Sequence, residues 1–349
     1  MMSAVLSNPN HPEYGVATIP FPIPRDQYAH CMELLEALEI GDAVKADCKV
    51  EKIDSFYTVL KRTEMRTVNV EELNYLAKRL DSFDTGEAAQ FQAMAHKLEL
   101  FELKDLINLT FCCQQATVIT DFSDLAAIGR DHYMNLHGGS ASVDELNALD
   151  GEKTARRLIE NGGGTITPYG VVYDNGMKLE QVYDGRFFPC YYYEPNAITV
   201  AVTSKSEPED TEHITWLFLP MVQEEIDRAL LRGGITDPSE IRLSLEDSWL
   251  PHEVLDLLDM DHVDISELNA LVQALDEFSD MSIRKYAAAA VMARPHTTEQ
   301  AKHLAENLDL FDFAPSASTP EEYGKYMIQQ SGRFEYDENL DAFYDYEKY

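Results

Sequence analysis

Apolar residues return at helical spacing in residues 263–278, where Ile265, Leu268, Leu271, Val272, Leu275 and Phe278 recur every three or four positions. That spacing places them on one face of a helix. Asp264 stands just before the run, where its carboxylate accepts from freed N–H groups, and Glu267 follows three residues later, as in a capping box. Acidic side chains there also suit the positive end of the helix dipole. The pattern occurs a second time in residues 69–83. Glu72, Leu73, Asn74, Leu76, Leu80, Asp81 and Phe83 align with Glu267, Leu268, Asn269, Leu271, Leu275, Asp276 and Phe278 at a constant offset of 195. The match runs on through Phe91/Tyr286, Ala93/Ala288 and Ala95/Ala290. An internal duplication with a different segment between the copies is the reading. The expected fold is α+β: similar modules at 1–137 and 206–349 flank a helix and β-rich middle segment at 138–205.

The pattern between these landmarks is coarser. Residues 14–24 read as a short strand entering a proline-punctuated connector, since alternate prolines exclude a central strand. Residues 26–39 read as a helix with Tyr28, Cys31, Leu35 and Leu38 on one face, residues 44–59 as a strand, and residues 143–161 as a helix. From 165 to 203 the chain reads as an antiparallel meander. Asn175-Gly176 and Asp184-Gly185 supply the positive φ angles of hairpin turns between the runs 170–173, 179–183 and 186–193. A polar acidic linker at 205–212 precedes strand-like residues 215–220 and a helix at 222–231, which echo residues 19–24 and the helix after them.

Charge changes this picture of an ordinary globular chain. Hydrophobic residues make up 45% of the 349, but 28 Lys and Arg face 62 Asp and Glu, for a formal net charge of −34. That excess opposes compaction, argues against binding nucleic acid or anionic membrane through phosphates, and favours a basic partner. A solubility adaptation of the halophilic kind is the alternative. The five cysteines (Cys31, Cys48, Cys112, Cys113, Cys190) have no metal spacing. The opening residues lack the basic start and apolar run of a signal peptide. No stretch reaches the ~18 apolar residues that span a bilayer. A reduced, cytoplasmic protein is the expectation.

Catalytic patterns are sparse. The chain has no Walker or Gly-x-Gly-x-x-Gly sequence, and Gly162 to Gly164 lead into a strand rather than a helix that could receive phosphate. Asp256, Asp259, Asp261 and Asp264 with His252 and His262 form the densest set of metal-ligand types, which gives a metal-dependent hydrolase as one reading. An EF-hand counted from Asp259 fails at its sixth and twelfth positions, Asp264 and Ala270. No nucleophile elbow surrounds any serine. The expectation is no enzyme, no metal and no cofactor.

The distribution of acids carries more. Residues 207–283 hold 20 acidic residues and three basic ones (Arg228, Arg232, Arg242), beside an intact apolar stripe. Asp256, Asp259, Asp261, Asp264 and Glu267 fall a few residues apart, and successive helix turns space side chains about 5–6 Å apart, comparable to phosphates on a strand. The net charge equals that of roughly 17 base pairs of duplex.

Three blocks give the chain a resemblance: Trp216-Leu217-Phe218-Leu219-Pro220, Glu267 to Phe278, and Asn339-Leu340-Asp341-Ala342-Phe343-Tyr344-Asp345-Tyr346-Glu347-Lys348-Tyr349. In these the chain resembles the ArdA family of antirestriction proteins, acidic DNA mimics spread by conjugative elements. The resemblance is good over 213–349, weaker over 14–137 and absent over 138–205. It implies an elongated α+β inhibitor that occupies the DNA groove of type I restriction–modification enzymes, on their methyltransferase and specificity subunits. It also implies a homodimer, which the two copies either replace or add to. The acidic surface expected to act consists of Asp256, Asp259, Asp261, Asp264, Glu267, Asp276, Glu277, Asp280, Glu224, Glu225, Asp337, Glu338, Asp341, Asp345 and Glu347. A general acidic interaction module of a mobile element is the alternative.

Overall fold

Met2–Ser7 (β1) buries alternate side chains, and Met2, Ala4 and Leu6 form one wall of a core. The computed structural model describes residues 2–206, 212–256, 258 and 262–348. It is mixed α+β, with 46% helix and three small antiparallel sheets. The chain divides into two compact units. The first comprises Met1–Pro195, Ser206–Leu217 and Met221–Asp237; the second comprises Asn196–Lys205, Phe218–Pro220 and Pro238–Tyr349.

In the first unit, β1 lies between β2 (Val16–Phe21) and β3 (Cys48–Asp54), and the two-residue β4 (Thr67–Val68) extends the sheet beyond β3. Helices α1 (Tyr28–Ala37), α2 (Val70–Asp81), α3 (Thr85–Lys97) and α4 (Leu103–Leu109) share its core. The α2 stripe is as expected: Leu73, Leu76, Ala77 and Leu80 are buried. Asn74 on the same helix is also buried and accepts the N–H of Ile23 at 2.8 Å. Ile23 stands between Pro22 and Pro24, which have no N–H to give, so Asn74 satisfies the one donor of that corner.

The chain then makes a lobe. It leaves β5 (Thr117–Ile119), forms α5 (Leu125–Leu136), α6 (Val143–Ala148) and α7 (Gly151–Asn161), and returns as β6 (Thr165–Thr167) and β7 (Gly170–Tyr173) in the sheet order β5-β7-β6. The expected helix over 143–161 is thus two helices, α7 restarting at the Asp150 cap. A Cβ on Gly129 of α5 would collide with the carbonyl of Gly151, so the approach requires glycine.

The meander expected over 165–203 is corrected. Strands β6 and β7 form a hairpin, and Asn175 (φ 54°) and Gly176 (φ 80°) do turn the chain. Residues 177–195, however, form no strand. Side chains, not a ladder, take up this segment and lay it over α2 as a strap. Asn108 of α4 donates to the carbonyl of Tyr183 at 3.0 Å and accepts its N–H at 2.7 Å. The Tyr183 ring is fully buried and stacks on Phe188, which stacks in turn on Tyr75 with centroids 4.5 Å apart. The hydroxyls of Tyr75 and Tyr193 donate to the Pro189 carbonyl and the Asp81 carboxylate. Helix α8 (Gln223–Gly233) completes this unit.

The second unit is built on β8 (Ile198–Ser204), placed between β9 (Thr215–Leu219) and β10 (Ile241–Ser248). The run expected at 197–203 is therefore a strand, but its antiparallel partner is β10. Helices α9 (His252–Leu255), α10 (Ile265–Leu275), α11 (Asp280–Ala293), α12 (Thr298–Glu306) and α13 (Pro320–Gln329) follow. Leu268, Leu271, Val272 and Leu275 of α10 are buried, and the Tyr286 hydroxyl donates to the carbonyl of Ala301. The terminal run is docked rather than loose. Asp341 accepts from Gln329 of α13 and from the hydroxyls of Tyr336 and Tyr346. Gly324 lies so close to the Tyr346 carbonyl that a Cβ there would collide with it. Among the described residues, no helix is long and apolar enough to cross a membrane.

Asn108→Leu leaves both backbone groups of Tyr183 buried without partners, at roughly 1–3 kcal/mol for each. A lowered urea midpoint is expected, with lost hydrogen-exchange protection at the Tyr183 amide; retained protection at that amide would refute the role given to Asn108.

Candidate interaction surface

Few bases lie in the acid-rich stretch, and where they point decides what the surface shows. Glu71 and Glu72 occupy the first turn of α2, the favourable end of its dipole. Arg228 of α8 places Nε 2.6 Å from Glu71 Oε1 and donates to the carbonyl of Gly41. Arg232, one turn further, is 4% exposed. It donates from Nε to the Arg186 carbonyl and from Nη1 to the Ala43 carbonyl and Asn69 Oδ1. Its Nη2 donates to the Tyr183 hydroxyl and the Gly185 carbonyl. Those bonds use every N–H donor a guanidinium has. Glu72 supplies the counter-charge at 3.6 Å and accepts from the Tyr183 hydroxyl at 2.8 Å. Burial raises the Glu72 carboxyl above its ordinary value, against the opposing pull of Tyr183 and Arg232.

Two of the three bases in residues 207–283 are thus turned inward, and Arg242 on β10 is exposed. Sequence reading missed this pairing. Its one trace is the four-residue spacing of Arg228 and Arg232, which puts both on one helix face.

The expected acidic residues divide by role. Asp264 caps α10, accepting from the N–H groups of Ser266 (2.8 Å) and Glu267 (3.2 Å). The reciprocal half of the capping box is absent, because the Glu267 carboxylate accepts from the Thr298 hydroxyl at 2.6 Å instead. The corresponding half is missing at Asn69, where Glu72 is held by Tyr183 and Arg232. Asp256 is exposed at the end of α9, and Asp259 and Asp261 lie outside the described residues. Helix α9 ends at Leu255 and α10 begins at Ile265, so Asp256 and Asp264 stand at separate helix ends.

Asp276, Glu277 and Asp280 are exposed together around the turn between α10 and α11. On α8, Glu225 is half-buried against Lys78 (3.3 Å), and burial raises the half-buried Glu224. Asp337 caps the turn Glu338–Phe343, Asp345 pairs with Lys348, and Glu338 and Glu347 are exposed. Asp341 is held below the ordinary range by the hydroxyls of Tyr346 and Tyr336, and its hydrogen bond pushes Tyr336 up to about 12.

Among the described residues, no group of three or more His, Cys, Asp or Glu is arranged to hold a metal ion. Cys31, Cys48, Cys112 and Cys113 are buried, and Cys190 is exposed. The arrangement leaves carboxylates at the surface. No protein-family model matches the sequence, and no curated protein matches it either.

Two substitutions separate surface from frame. Asp264→Ala removes a cap, worth ~0.5–2 kcal/mol. Arg232→Met leaves Glu72 buried without its cation, and breaking such a pair costs about 3–5 kcal/mol. Thermal unfolding should rank Arg232→Met well below Asp264→Ala; equal melting temperatures would contradict the network.

Proposed function

We propose that the chain is a non-catalytic acidic inhibitor of the ArdA kind. It would occupy the DNA-binding groove of a type I restriction–modification enzyme, or of a related DNA-targeting defence enzyme, without a cofactor. The observation that carries this reading is the sorting of charge. In the most acidic stretch of the chain, Arg228 and Arg232 are consumed on Glu71 and Glu72, while Asp276, Glu277 and Asp280 stay exposed on a helix-to-helix turn. A stretch that keeps carboxylates outward while two of its three arginines turn inward meets a phosphate-binding groove with the right sign.

The duplication belongs to the same proposal, and several features support it. Asn69 caps α2 and Asp264 caps α10, 195 residues apart. That interval also relates the starts of α3 and α11 (Thr85, Asp280), of α4 and α12 (Leu103, Thr298), and of the short turns Cys113–Gln115 and Leu308–Leu310. It relates the left-handed residues Glu99 (φ 55°) and Arg294 (φ 51°) as well. Phe83 with Phe91, and Phe278 with Tyr286, are edge-to-face ring pairs, each with centroids 6.2 Å apart. The sheet orders β2-β1-β3 and β9-β8-β10 correspond strand for strand. Among the described residues the lobe and strap have no such counterpart, which on this reading makes them the segment added between two copies.

The decisive measurement is competition for a purified type I methyltransferase. Duplex DNA and this protein should exclude each other, and binding of the enzyme's methyl donor should be unaffected. Complex formation should weaken as salt rises, because the screening length falls from ~30 Å at 0.01 M to ~8 Å at 0.15 M. Reversing Asp276, Glu277 and Asp280 together to Lys should lower inhibition, while each alone costs ~0–1 kcal/mol. A ternary complex of enzyme, DNA and this protein, indifferent to salt, would refute mimicry and leave the general acidic interaction module.

A further inference from the structure

One buried hydroxyl ties the lobe to the sheet from which it departs. Thr117, the first residue of β5, is 2% exposed. Its Oγ1 lies 2.9 Å from Nδ1 of His132 on α5 and 3.3 Å from Nδ2 of Asn135, nearly one turn later on that helix. It also lies 2.9 Å from Nδ2 of Asn175, in the turn after β7. The orientation of Asn175 is fixed, because the same nitrogen donates to the Gln115 carbonyl at 2.8 Å. Strand, helix and turn thus meet at one oxygen. The buried apolar support beside it is small: Ile128 of α5 and Ala155 of α7 rest on Ile119 and Tyr173.

A hydroxyl has one hydrogen to give and two lone pairs with which to accept. The amides of Asn135 and Asn175 take both lone pairs, so the Thr117 hydrogen goes to His132. That bond exists only while Nδ1 is bare and the ring proton sits on Nε2. A proton on Nδ1 would set three donors against two lone pairs and leave the Thr117 hydrogen without an acceptor. In so dry a place an unmet donor is costly.

No counter-charge offsets such a proton. Strand β5 and the turn Cys113–Gln115 before it carry no charged side chain, and burial pushes the Cys113 thiol up. Tyr173 of β7 brings a phenol, and Asp174 after it is held by Lys97 at 2.5 Å. On α7, Glu152 pairs with Arg156, while Lys153, Arg157 and Glu160 are exposed. Arg130 and Asp131 precede His132 on α5 itself. None of these charges acts on the His132 ring, which burial alone pushes below its ordinary value. We propose that His132 is a proton-sensitive catch between lobe and sheet: neutral, it holds α5 on β5, and protonated, it releases α5. The closed lobe favours the bare ring, so the catch is complete above the ordinary histidine range of ~6.5 and is lost as pH falls below it.

Imidazole NMR of the full chain, with His132 assigned by triple-resonance spectra, reads the titration directly, and its midpoint should lie below ~6.5. Hydrogen exchange over residues 120–164, corrected for the intrinsic pH dependence of exchange, should show lobe opening rise about threefold or more from about pH 7.5 to about pH 5. Glutamine offers Thr117 an acceptor that does not titrate, so His132→Gln should keep the lobe closed and flatten that rise. Asn135→Leu frees one lone pair of Thr117 for an imidazolium, so it should raise the His132 midpoint although it adds apolar surface; this readout stands even should the glutamine variant loosen the lobe. Three outcomes would overturn the inference. The first is a parent midpoint at or above the ordinary value, and the second is a pH-dependent opening that survives His132→Gln. The third is a midpoint that falls in Asn135→Leu, which would mean that Asn135 turns its oxygen to Thr117 and accommodates the proton.

Discussion

The guanidinium of Arg232 is the point on which the first unit depends. A buried charge is tolerated only when it is paired and its donors are all taken. Here it joins four separate stretches: the loop at Ala43, the cap at Asn69 with Glu72 behind it and the strap at Tyr183 to Arg186, which supply its partners, and α8, which carries it. Any one of them moving would leave donors unsatisfied in a dry environment, so the group holds all four in a single register. Tyr183 is the second hinge of this arrangement, since its backbone is fixed by Asn108 while its hydroxyl bridges Arg232 and Glu72.

The network also bears on how so acidic a chain stays folded. Self-repulsion grows with net charge and acts against compaction. Spending scarce cations in the interior, where the dielectric is low, makes each one count for more than a surface pair would. Arg228 on Glu71 and Arg232 on Glu72 are such placements. The exposed carboxylates of Asp276, Glu277 and Asp280 remain in water, where their hydration carries the cost of their charge.

What the sequence disclosed follows the range of the forces involved. The helices α2 and α10, their caps at Asn69 and Asp264, and the positive φ at Asn175 and Gly176 depend on neighbours within a few residues, and each was legible. The strap was not. Asn-Gly and Asp-Gly mark turns whether or not strands follow, and Tyr183, Phe188 and Tyr191 look like strand aromatics although their partners are Asn108, Tyr75 and Lys78, 75 to 113 positions away. The acidic surface was legible as composition and less so as geometry. Glu267 read as a capping-box and surface acid and Asp341 as a surface acid, but Thr298, Tyr336 and Tyr346 donate to them. The four-residue spacing of Arg228 and Arg232 marked a shared helix face but not that this face turns inward.

The lobe made of α5, α6 and α7 has a topology with a practical meaning. It departs from Ile119 and re-enters at Thr165, which lie opposite Val171 and Val172 on the two sides of β7. Strands two places apart are about 10 Å from each other, so the ends of this forty-five-residue excursion nearly meet. It also has a small apolar cluster of its own, Ile128 and Ala155 resting on Ile119 and Tyr173. A segment so attached is a cassette: a loop of a few residues can close the same gap, and the sheet and the strap keep their own supports. Evolution and engineering alike can exchange what hangs there without reopening the fold beneath it.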